Sequence, residues 1–291
     1  MRIAESELII NPDGSIFHLH IKPGQVASTI ILVGDPGRVH KISSFFDEIL
    51  YQGENREFVW KTGTYKKTLF TVLSTGIGTD NIDIVLTELD ALVNVDFETR
   101  TVKDKKQSLK IIRIGTSGSL QADIPVDSLL ISEKAMGFDG LLNYYDGRNK
   151  VCDLEFESEF VKYVNLNPLY AAPYVIDADN ELVSKLKNDS VIMGVTISAP
   201  GFYAPQGRIV RLQLAQPNLN EKITNFEFKG KKITNFEMEC SAIYGLSALL
   251  GHKAATVCVI IANRFAGTFS KNYEIPMKKL IVHVLDSFVS G

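Results

Sequence analysis

The fold is decided by the stretch Thr29-Ile-Ile-Leu-Val-Gly-Asp-Pro-Gly-Arg38. Its first five residues are apolar or β-branched throughout, which is typical of a strand covered on both faces of a parallel sheet. A glycine turn follows, and apolar residues then recur at helical spacing from Val39 through Phe46 to Ile49. The stretch therefore predicts a strand, a turn and a helix, which together form the building unit of an α/β sheet.

The same unit recurs along the chain. A strand over residues 69–73 precedes a glycine turn and a helix with apolar positions from Ile82 to Val93, for which Asp80 is the expected N-cap. Further strands are predicted over residues 111–114, 128–132, 191–197 and 255–262, and helices over residues 239–250 and from Pro276 onwards. Strands that alternate with helices in this way predict an α/β fold with helices on both faces of its sheet.

The chain contains no repeat, no low-complexity tract and no Pro/Ser-rich linker. The polar run 98–107 is typical of a surface connector, and residues 136–170 form a less patterned excursion. Hydrophobic residues make up 45% and charged residues 22% of the sequence, which is close to the globular average and argues against disorder. We therefore expect a single folded domain over residues 1–291.

Charge and sorting signals narrow the class of protein. The 31 Lys+Arg and 34 Asp+Glu residues give a net charge of −3, which argues against a nucleic-acid partner but not against one small anion. The start has no signal-peptide order, and the longest apolar run, residues 254–262, is far shorter than the about 20 residues that cross a membrane. Cys152, Cys240 and Cys258 fit no disulfide or metal-ligand spacing. We expect a cytoplasmic protein without a metal site and without a membrane or nucleic-acid partner.

Three glycine-bearing turns each follow a predicted strand, at residues 34–38, 74–81 and 113–118. Ligands of open α/β sheets bind beyond the carboxyl ends of strands, where glycines let backbone N–H groups approach an anion. Arg38 and Arg113 add guanidinium groups that can hold phosphate oxygens, and Thr116 adds a hydroxyl. None of the turns is a Walker loop or a G-x-G-x-x-G fingerprint, which disfavours ATP and dinucleotides. One such turn alone is more often ordinary loop geometry, whereas three together predict a phosphate site.

Four motifs stand in the order and approximate spacing of the nucleoside phosphorylase-I family: Gly34-Asp-Pro-Gly-Arg38, Ser74-Thr-Gly-Ile-Gly78, Arg113-Ile-Gly-Thr-Ser-Gly118 and Asn235-Phe-Glu-Met-Glu239. The resemblance covers nearly the whole chain, from Phe17 to the final helix. The segment Phe202-Tyr-Ala-Pro-Gln-Gly-Arg208 looks like the pyrimidine-base loop of the uridine phosphorylases within that family. The resemblance implies a single-domain three-layer α/β/α sandwich whose central sheet is mixed and mostly parallel.

The resemblance also implies an activity, the reversible phosphorolysis of uridine to uracil and ribose 1-phosphate in pyrimidine salvage. Phosphate is then a co-substrate, and no organic cofactor is expected. The residues that match the family's site are Gly34, Arg38, Arg56, Arg113 and Thr116 for phosphate, His18, Glu237, Met238 and Glu239 for ribose, and Phe202, Gln206, Arg208 and Phe236 for the base. Arg56 and His18 match residues that reach a neighbouring subunit's active site. This implies a homo-oligomer with shared sites, at least a dimer, with dimer and hexamer left open.

These residue types suit the implied reaction. Glu239 can accept hydrogen bonds from both hydroxyls of a cis-diol, and Gln206 offers a donor and an acceptor to the N3–H and a carbonyl of uracil. Arg208 would meet a carbonyl oxygen, where the departing base gathers negative charge. Taken singly, Arg56 and His18 are more simply an exposed arginine and a loop histidine. Phe236 and Met238, in the same way, are more simply core residues.

Two departures from the family bear on specificity. Asn263 stands where purine-specific relatives carry the acid that protonates purine N7, which disfavours purine phosphorolysis. Asn81 replaces a serine that lines a potassium site in some bacterial relatives, which argues against potassium although its partner Glu57 is present. The alternatives left open are a purine nucleoside phosphorylase or a nucleosidase of the same fold, and a non-catalytic nucleoside-binding or storage protein.

Overall fold

A computed structural model of the protein describes residues 2–289; residues 1, 290 and 291 of the expected domain lie outside the described residues. Its strands are β1 (Thr29–Val33), β2 (Glu48–Asn55), β3 (Phe58–Tyr65), β4 (Thr68–Ser74), β5 (Val95–Asp96), β6 (Thr101–Val102), β7 (Lys110–Ser119), β8 (Leu129–Gly137), β9 (Tyr174–Asp177), β10 (Val191–Ser198), β11 (Glu227–Phe228), β12 (Lys231–Glu237), β13 (Lys253–Asn263) and β14 (Thr268–Phe269). Its helices are α1 (Pro36–Ser43), α2 (Thr79–Asn94), α3 (Leu154–Val164), α4 (Asn180–Leu186), α5 (Leu219–Asn225), α6 (Cys240–Leu250) and α7 (Glu274–Ser287). Every strand predicted from the sequence is present, as β1, β4, β7, β8, β10 and β13.

The strands build one large mixed sheet in the order β11-β12-β10-β8-β13-β7-β1-β4-β3-β2. In its parallel part, β1 lies between β4 and β7, β7 pairs with β13, and β10 lies between β8 and β12. β13 and β8 are antiparallel, and β12 also pairs antiparallel with the end of β7. The pairings β7-β13-β8-β10-β12-β7 therefore close a ring, which brings Gly118 on β7 beside Phe236 on β12.

Helices cover both faces of this sheet. In β1, Ile30 and Leu32 belong to the apolar cluster that contains the buried sides of α2 and α6, whereas Ile31 and Val33 belong to the cluster formed with α1 and α7. A third cluster joins α3 and α5 to β10 and β12. Because both faces of β1 are buried, the strand is apolar along its whole length. The three-layer α/β/α architecture with a central mixed sheet is thus confirmed.

Three local predictions are wrong. α1 ends at Ser43, Phe45 and Phe46 then pack against the core beside it, and Ile49 is a half-exposed residue of the edge strand β2. Helix α2 has Gly78 as its N-cap, at φ 103°, while Asp80 lies in the first turn, where a negative charge suits the positive end of the helix. Residues 115–118 continue β7 instead of forming a turn, because β13 pairs with them along their length.

The helix predictions for the second half of the chain are confirmed. α6 ends at Gly251, whose φ of 80° is a left-handed conformation that favours glycine, and α7 begins at Glu274, with Pro276 in its first turn. The polar connector 98–107 contributes β6, which pairs with β5, and the excursion 136–170 contains α3. Over residues 2–289, each helix is too short or too polar to cross a membrane.

Candidate active site

A cavity of about 530 Å³ opens where the ends of β1, β7, β12 and β13 meet. Eleven of the predicted site residues line it: Gly34, Arg38, Arg113, Thr116, Phe202, Gln206, Arg208, Phe236, Glu237, Met238 and Glu239. They come from segments more than 200 residues apart in sequence, which the ring of strands brings together. The structure therefore assembles the predicted phosphate, ribose and base residues of one chain around one cavity.

Arg38 and Arg113 form the positive end of this cavity. Arg38 is buried on α1, and its Nη1 donates to the carbonyl of Ile114 at 3.3 Å. Burial, together with the positive charge of Arg113, lowers the pKa of Arg38. The Nη1 of Arg113 is buried and has no hydrogen-bond partner within residues 2–289. Because buried donors are almost always paired in proteins, this nitrogen marks a position for an acceptor that the chain itself does not supply.

Glycine is required where these arginines pack. A Cβ on Gly115 would lie 2.0 Å from Nη1 of Arg113 and 2.8 Å from the sulphur of Cys258, so a larger residue would displace the arginine. At Gly34 a Cβ would meet the carbonyl oxygen of Gly76 at 3.4 Å, which is ordinary contact. Glycine at position 115 therefore allows the guanidinium of Arg113 to pack directly against the backbone of β7.

Two buried carboxylates hold Arg113 in place. Its Nη2 donates to Glu239, and its Nε lies 3.5 Å from Oε2 of Glu237. Burial opposes the charged guanidinium, but the negative charges of Glu239 and Glu237 outweigh burial and raise the pKa of Arg113. Arg113 is therefore a fixed cation in the cavity wall, held by two carboxylates.

The two carboxylates differ in what they can still bind. Glu239 accepts the N–H of Gly78 with Oε1 at 2.8 Å and a bond from Arg113 with Oε2, so each of its oxygens keeps a free lone pair. Glu237 is 1% exposed and accepts from the Ser198 hydroxyl at 2.5 Å and from the N–H groups of residues 239 and 240 at 2.9 Å. Glu239, next to the partly buried Met238, is thus the carboxylate with room for a ribose diol.

Burial also sets the protonation of Glu237. Burial raises the pKa of Glu237 to about 7; the charge of Arg113 lowers it in part, and the charge of Glu239 raises it further. A carboxyl with a pKa near neutrality beside a substrate cavity is typical of functional sites.

The opposite end of the cavity carries the predicted base residues. The Arg208 guanidinium lies 3.8 Å from the ring centre of Phe202 and donates to Oε1 of Gln206 at 2.6 Å. Arg264 donates to the Gln206 carbonyl, and its guanidinium lies 5.8 Å from the ring centre of the buried Phe236. Burial, and then the charge of Arg208, lowers the pKa of Arg264 to about 10. In the described part of the chain, neither arginine has an acidic partner, so this end attracts electron-rich oxygens.

Arg264 and Ser198 shape the site but were absent from the predicted residues. Arg264 directly follows the end of β13, so the rule that found the other arginines, a cation just beyond a strand, could also have found it. Ser198 is the last residue of the apolar strand β10 and gave no signal, because its role depends on Glu237 of the neighbouring strand.

His18 and Arg56 do not line the cavity of their own chain, as far as residues 2–289 show. Nδ1 of His18 lies 2.6 Å from Oε1 of Glu88, and its carbonyl accepts from the side chain of Asn55. Arg56 is exposed at the tip of the β2–β3 hairpin, with φ 55°. The single chain therefore leaves their predicted roles at a neighbouring subunit's site as predictions.

Asn263 is a structural residue. Its amide nitrogen donates to the carbonyls of Gln121 and Ile124 at 2.9 and 2.8 Å, and its oxygen accepts the N–H of Ala266 at 2.8 Å. Its side chain is therefore engaged with the backbone and, like any neutral amide, holds no proton to give a purine.

The residues of the predicted potassium comparison, Glu57 and Asn81, lie close to the cavity. The side chains of Glu57 and Asn81 both lie beside Gly76, but the Asn81 atom nearest that glycine is the amide nitrogen and not an oxygen. Residues 2–289 contain no group of three or more His, Cys, Asp or Glu side chains that could hold a metal ion. Whether potassium binds stays a prediction.

A second cavity of about 460 Å³ lies behind the base loop and shares Pro205 and Gly207 with it. Its walls are mostly apolar, with Phe138 and Leu166 among them, and its described lining holds one carboxylate, Asp139, and no arginine. The second cavity thus lacks the arginines of the first.

Sequence comparison relates the chain to known enzymes. The family model described as the Phosphorylase superfamily matches residues 28–284. A uridine phosphorylase of Thermococcus kodakarensis is 31% identical over 268 residues, which cover 90% of this chain and 82% of that protein. A DeoD-type purine nucleoside phosphorylase of Listeria welshimeri is 25% identical over 275 residues, which cover 94% of this chain and 98% of that protein.

Comparison with solved structures agrees with this relationship. A nucleoside phosphorylase of Trypanosoma brucei, whose crystal structure is described as showing uridine phosphorylase activity, matches with a TM-score of 0.88 and 32% identity over 98% of this chain and 100% of that chain. A uridine phosphorylase of the oomycete Phytophthora capsici matches with a TM-score of 0.74 over 97% of this chain and 96% of that chain. Because the two sequences are only 21% identical, this match supports a shared fold and nothing more.

Proposed function

Because the chain belongs to the phosphorylase superfamily, we propose that it is a uridine phosphorylase, which converts uridine and phosphate reversibly into uracil and ribose 1-phosphate. The observation that carries the proposal is the cavity with two unlike ends. Arg38 and Arg113 line one end with two guanidinium groups, and Gln206 with Arg208 offers a donor and acceptor pair at the other. The Thermococcus and Trypanosoma relatives, at 31% and 32% identity, support uridine over a purine nucleoside.

In the proposed reaction, a phosphate oxygen attacks C1′ of the ribose, the C1′–N1 bond breaks, and its electron pair leaves with uracil. Arg38, Arg113 and Thr116, with the backbone of Gly34, hold the phosphate. Glu239 accepts hydrogen bonds from the 2′- and 3′-hydroxyls and so fixes C1′ above the attacking oxygen. Such positioning converts an encounter of two substrates into a reaction within one complex and accounts for a large part of the rate.

The base end stabilises the leaving group. As the glycosidic bond breaks, negative charge spreads onto the carbonyl oxygens of uracil, and Arg208, which lines this end, would donate to one of them. Gln206 can pair with the N3–H and a carbonyl, and Phe202 can lie against the flat ring. Because the two arginines at this end have no acidic partner in the described chain, their charge is available to the transition state.

We further propose that the active protein is at least a homodimer. The exposed Arg56 and the Glu88-bound His18 lie outside their own cavity, and the resemblance assigns them to the partner's phosphate and ribose. The proposed chemistry needs no organic cofactor. The cysteines are free thiols, which fits a reaction in the reducing cytoplasm.

The test is a discontinuous assay of purified protein with uridine in the presence and absence of phosphate. Uracil and ribose 1-phosphate are expected in equal amounts and only with phosphate. Equal uracil release without phosphate would identify a nucleosidase and remove the reason for the arginine pair. Absence of any product, with uridine still bound, would identify a non-catalytic binding protein.

A further inference from the structure

Arg113 is surrounded by more negative charge than it can neutralise. Glu237 and Glu239 both face its guanidinium, and their side chains are only 1% and 4% exposed. The next cation in the cavity, Arg38, forms no ion pair with either acid. One guanidinium between two ionised carboxylates leaves a buried negative charge uncompensated, which is costly away from water.

The titratable groups around Glu237 leave few places for a compensating proton. The thiols of Cys240 on α6 and Cys258 on β13 face it, and burial raises the pKa of both well above neutral pH, so both stay protonated. Glu239, the N-cap of α6, and Arg113 on β7 face it, and Arg38 faces Arg113 from α1. Of these groups, Glu237 is the one whose pKa burial raises to about 7.

The hydrogen bonds also distinguish Glu237 from Glu239. Glu239 uses its negative charge to hold Arg113 and the N–H of Gly78. Glu237 instead shares a 2.5 Å hydrogen bond with the hydroxyl of Ser198, which can act as donor or acceptor. A proton on Glu237 can therefore point at Ser198 without breaking that contact. The Ser198 oxygen is itself held by the N–H of Ser241 at 2.9 Å.

We propose that Glu237 takes up a proton when a dianion enters the phosphate end of the cavity and releases it when the anion leaves. Glu237 is then a positioning residue for Arg113 and not a ribose ligand. The inference rests on the proposed function, because it assumes that the anion held by Arg113 is phosphate. Its reason is electrostatic: the dianion and Glu237 share one guanidinium, so the entering charge repels the carboxylate and favours its neutral form.

The burial of Glu237 makes this exchange accessible at ordinary pH. Since burial raises the pKa of Glu237 to about 7 in the empty site, the entering anion needs to move it only a little further. Below about pH 6 the group already carries its proton and uptake vanishes, and uptake is largest just above pH 7, between the pKa of the empty and the loaded enzyme.

Calorimetric titration of the full-length enzyme with sulfate tests this exchange. Sulfate stays dianionic throughout the range, so any proton taken up goes to the protein, and the uptake is read from titrations in buffers of different ionisation enthalpy. For a rise of about one unit in pKa, linkage predicts about half a proton per sulfate at pH 7.5 and about 0.1 at pH 6. Sulfate should also bind about eightfold more weakly at pH 9 than at pH 6.

Two variants separate the proposal from a general structural effect. Glu237→Gln should bind sulfate with no proton uptake and no pH dependence over this range. Glu157→Gln is the control, because Glu157 on α3 is a partly buried acid that also pairs with an arginine, Arg148 at 2.9 Å, away from the cavity. This control should keep the uptake of the unmodified enzyme. If Glu237→Gln does not fold, the pH dependence of proton uptake and of sulfate affinity in the unmodified enzyme tests the proposal.

The outcomes separate this inference from the proposed function. Sulfate or phosphate binding without proton uptake at pH 7.5, or with uptake that persists in Glu237→Gln, would overturn the inference and leave the phosphate site standing. Failure of both anions to bind would overturn the phosphate site and the inference together. Tight binding of phosphate without binding of sulfate would also contradict the inference, because the enzyme would then select an anion that carries its own proton.

Discussion

Replacing Arg208 by alanine should slow uridine phosphorolysis far more than it destabilises the fold. Arg208 donates to the side chain of Gln206 and stacks 3.8 Å from the ring centre of Phe202, in a loop where it is only partly buried. It forms no ion pair within residues 2–289. The loss of the stacking contact costs about 0.5–1 kcal/mol. For a domain of this size, that lowers the melting temperature by roughly 1–2 °C.

The effect on rate is larger because the guanidinium meets charge that exists only in the transition state. Removing one such donor costs about 100- to 1000-fold in kcat, or about 2.7–4 kcal/mol. Arg264 remains nearby and donates to the Gln206 carbonyl, so the lower end of this range is expected. The KM for phosphate, which binds at the other end of the cavity, should change little.

Steady-state kinetics of uridine with saturating phosphate, alongside calorimetric melting, measure both effects. Arg211→Ala is the matched control, because Arg211 lies three residues further along the same segment, is exposed, and does not line the cavity. It should leave kcat unchanged. Equal kcat in Arg208→Ala and Arg211→Ala would refute the role of Arg208 at the leaving base. A loss of activity that merely followed a loss of folded protein would refute it as well.

Three further predictions concern the other parts of the site. Gly115→Ala places a Cβ 2.0 Å from Nη1 of Arg113 and should raise the KM for phosphate by about 10- to 100-fold; an unchanged value would show that the nitrogen does not contact phosphate. Glu239→Gln should lower kcat/KM for uridine more than for 2′-deoxyuridine, and an unchanged ratio of the two would remove Glu239 from the ribose diol. Arg56→Ala and Arg113→Ala should each be nearly inactive, yet their co-expression should restore about a quarter of the activity through mixed dimers with one complete site. Activity no higher than that of the parents would argue against shared sites.

The core of the fold could be predicted because its signals are local. The apolar runs of β1, β4 and β13 and the stop of α6 at Gly251 depend on neighbouring residues alone. The edge strand β2 was not predicted, because it is exposed along most of its length and so has no buried apolar face. Helices α3, α4 and α5 lie in segments that no sequence pattern resolved. The extension of β7 through Gly115 and Gly118 was not predicted, because it depends on pairing with β13, which follows more than a hundred residues later in the sequence.

The candidate site shows the same division. The sequence motifs predicted which residues would meet, and eleven of them line one cavity. They favoured Glu239 for the ribose diol but gave Glu237 no task of its own. The difference between the two acids comes from Ser198 on a neighbouring strand and from the backbone at the start of α6, which together occupy the carboxylate of Glu237 and leave Glu239 free. The roles of His18 and Arg56 depend on a second subunit and stay predictions.

The central claim is that one cavity joins a phosphate end to an end shaped for a pyrimidine. The most direct test is the ratio of kcat/KM for uridine and inosine at saturating phosphate. The base end offers Gln206 and Arg208 and, in the described chain, no carboxyl that could protonate a purine, because Asn263 is bound to the backbone. Uridine should be preferred by at least about a hundredfold. An enzyme that cleaved inosine as fast as uridine would contradict the claim.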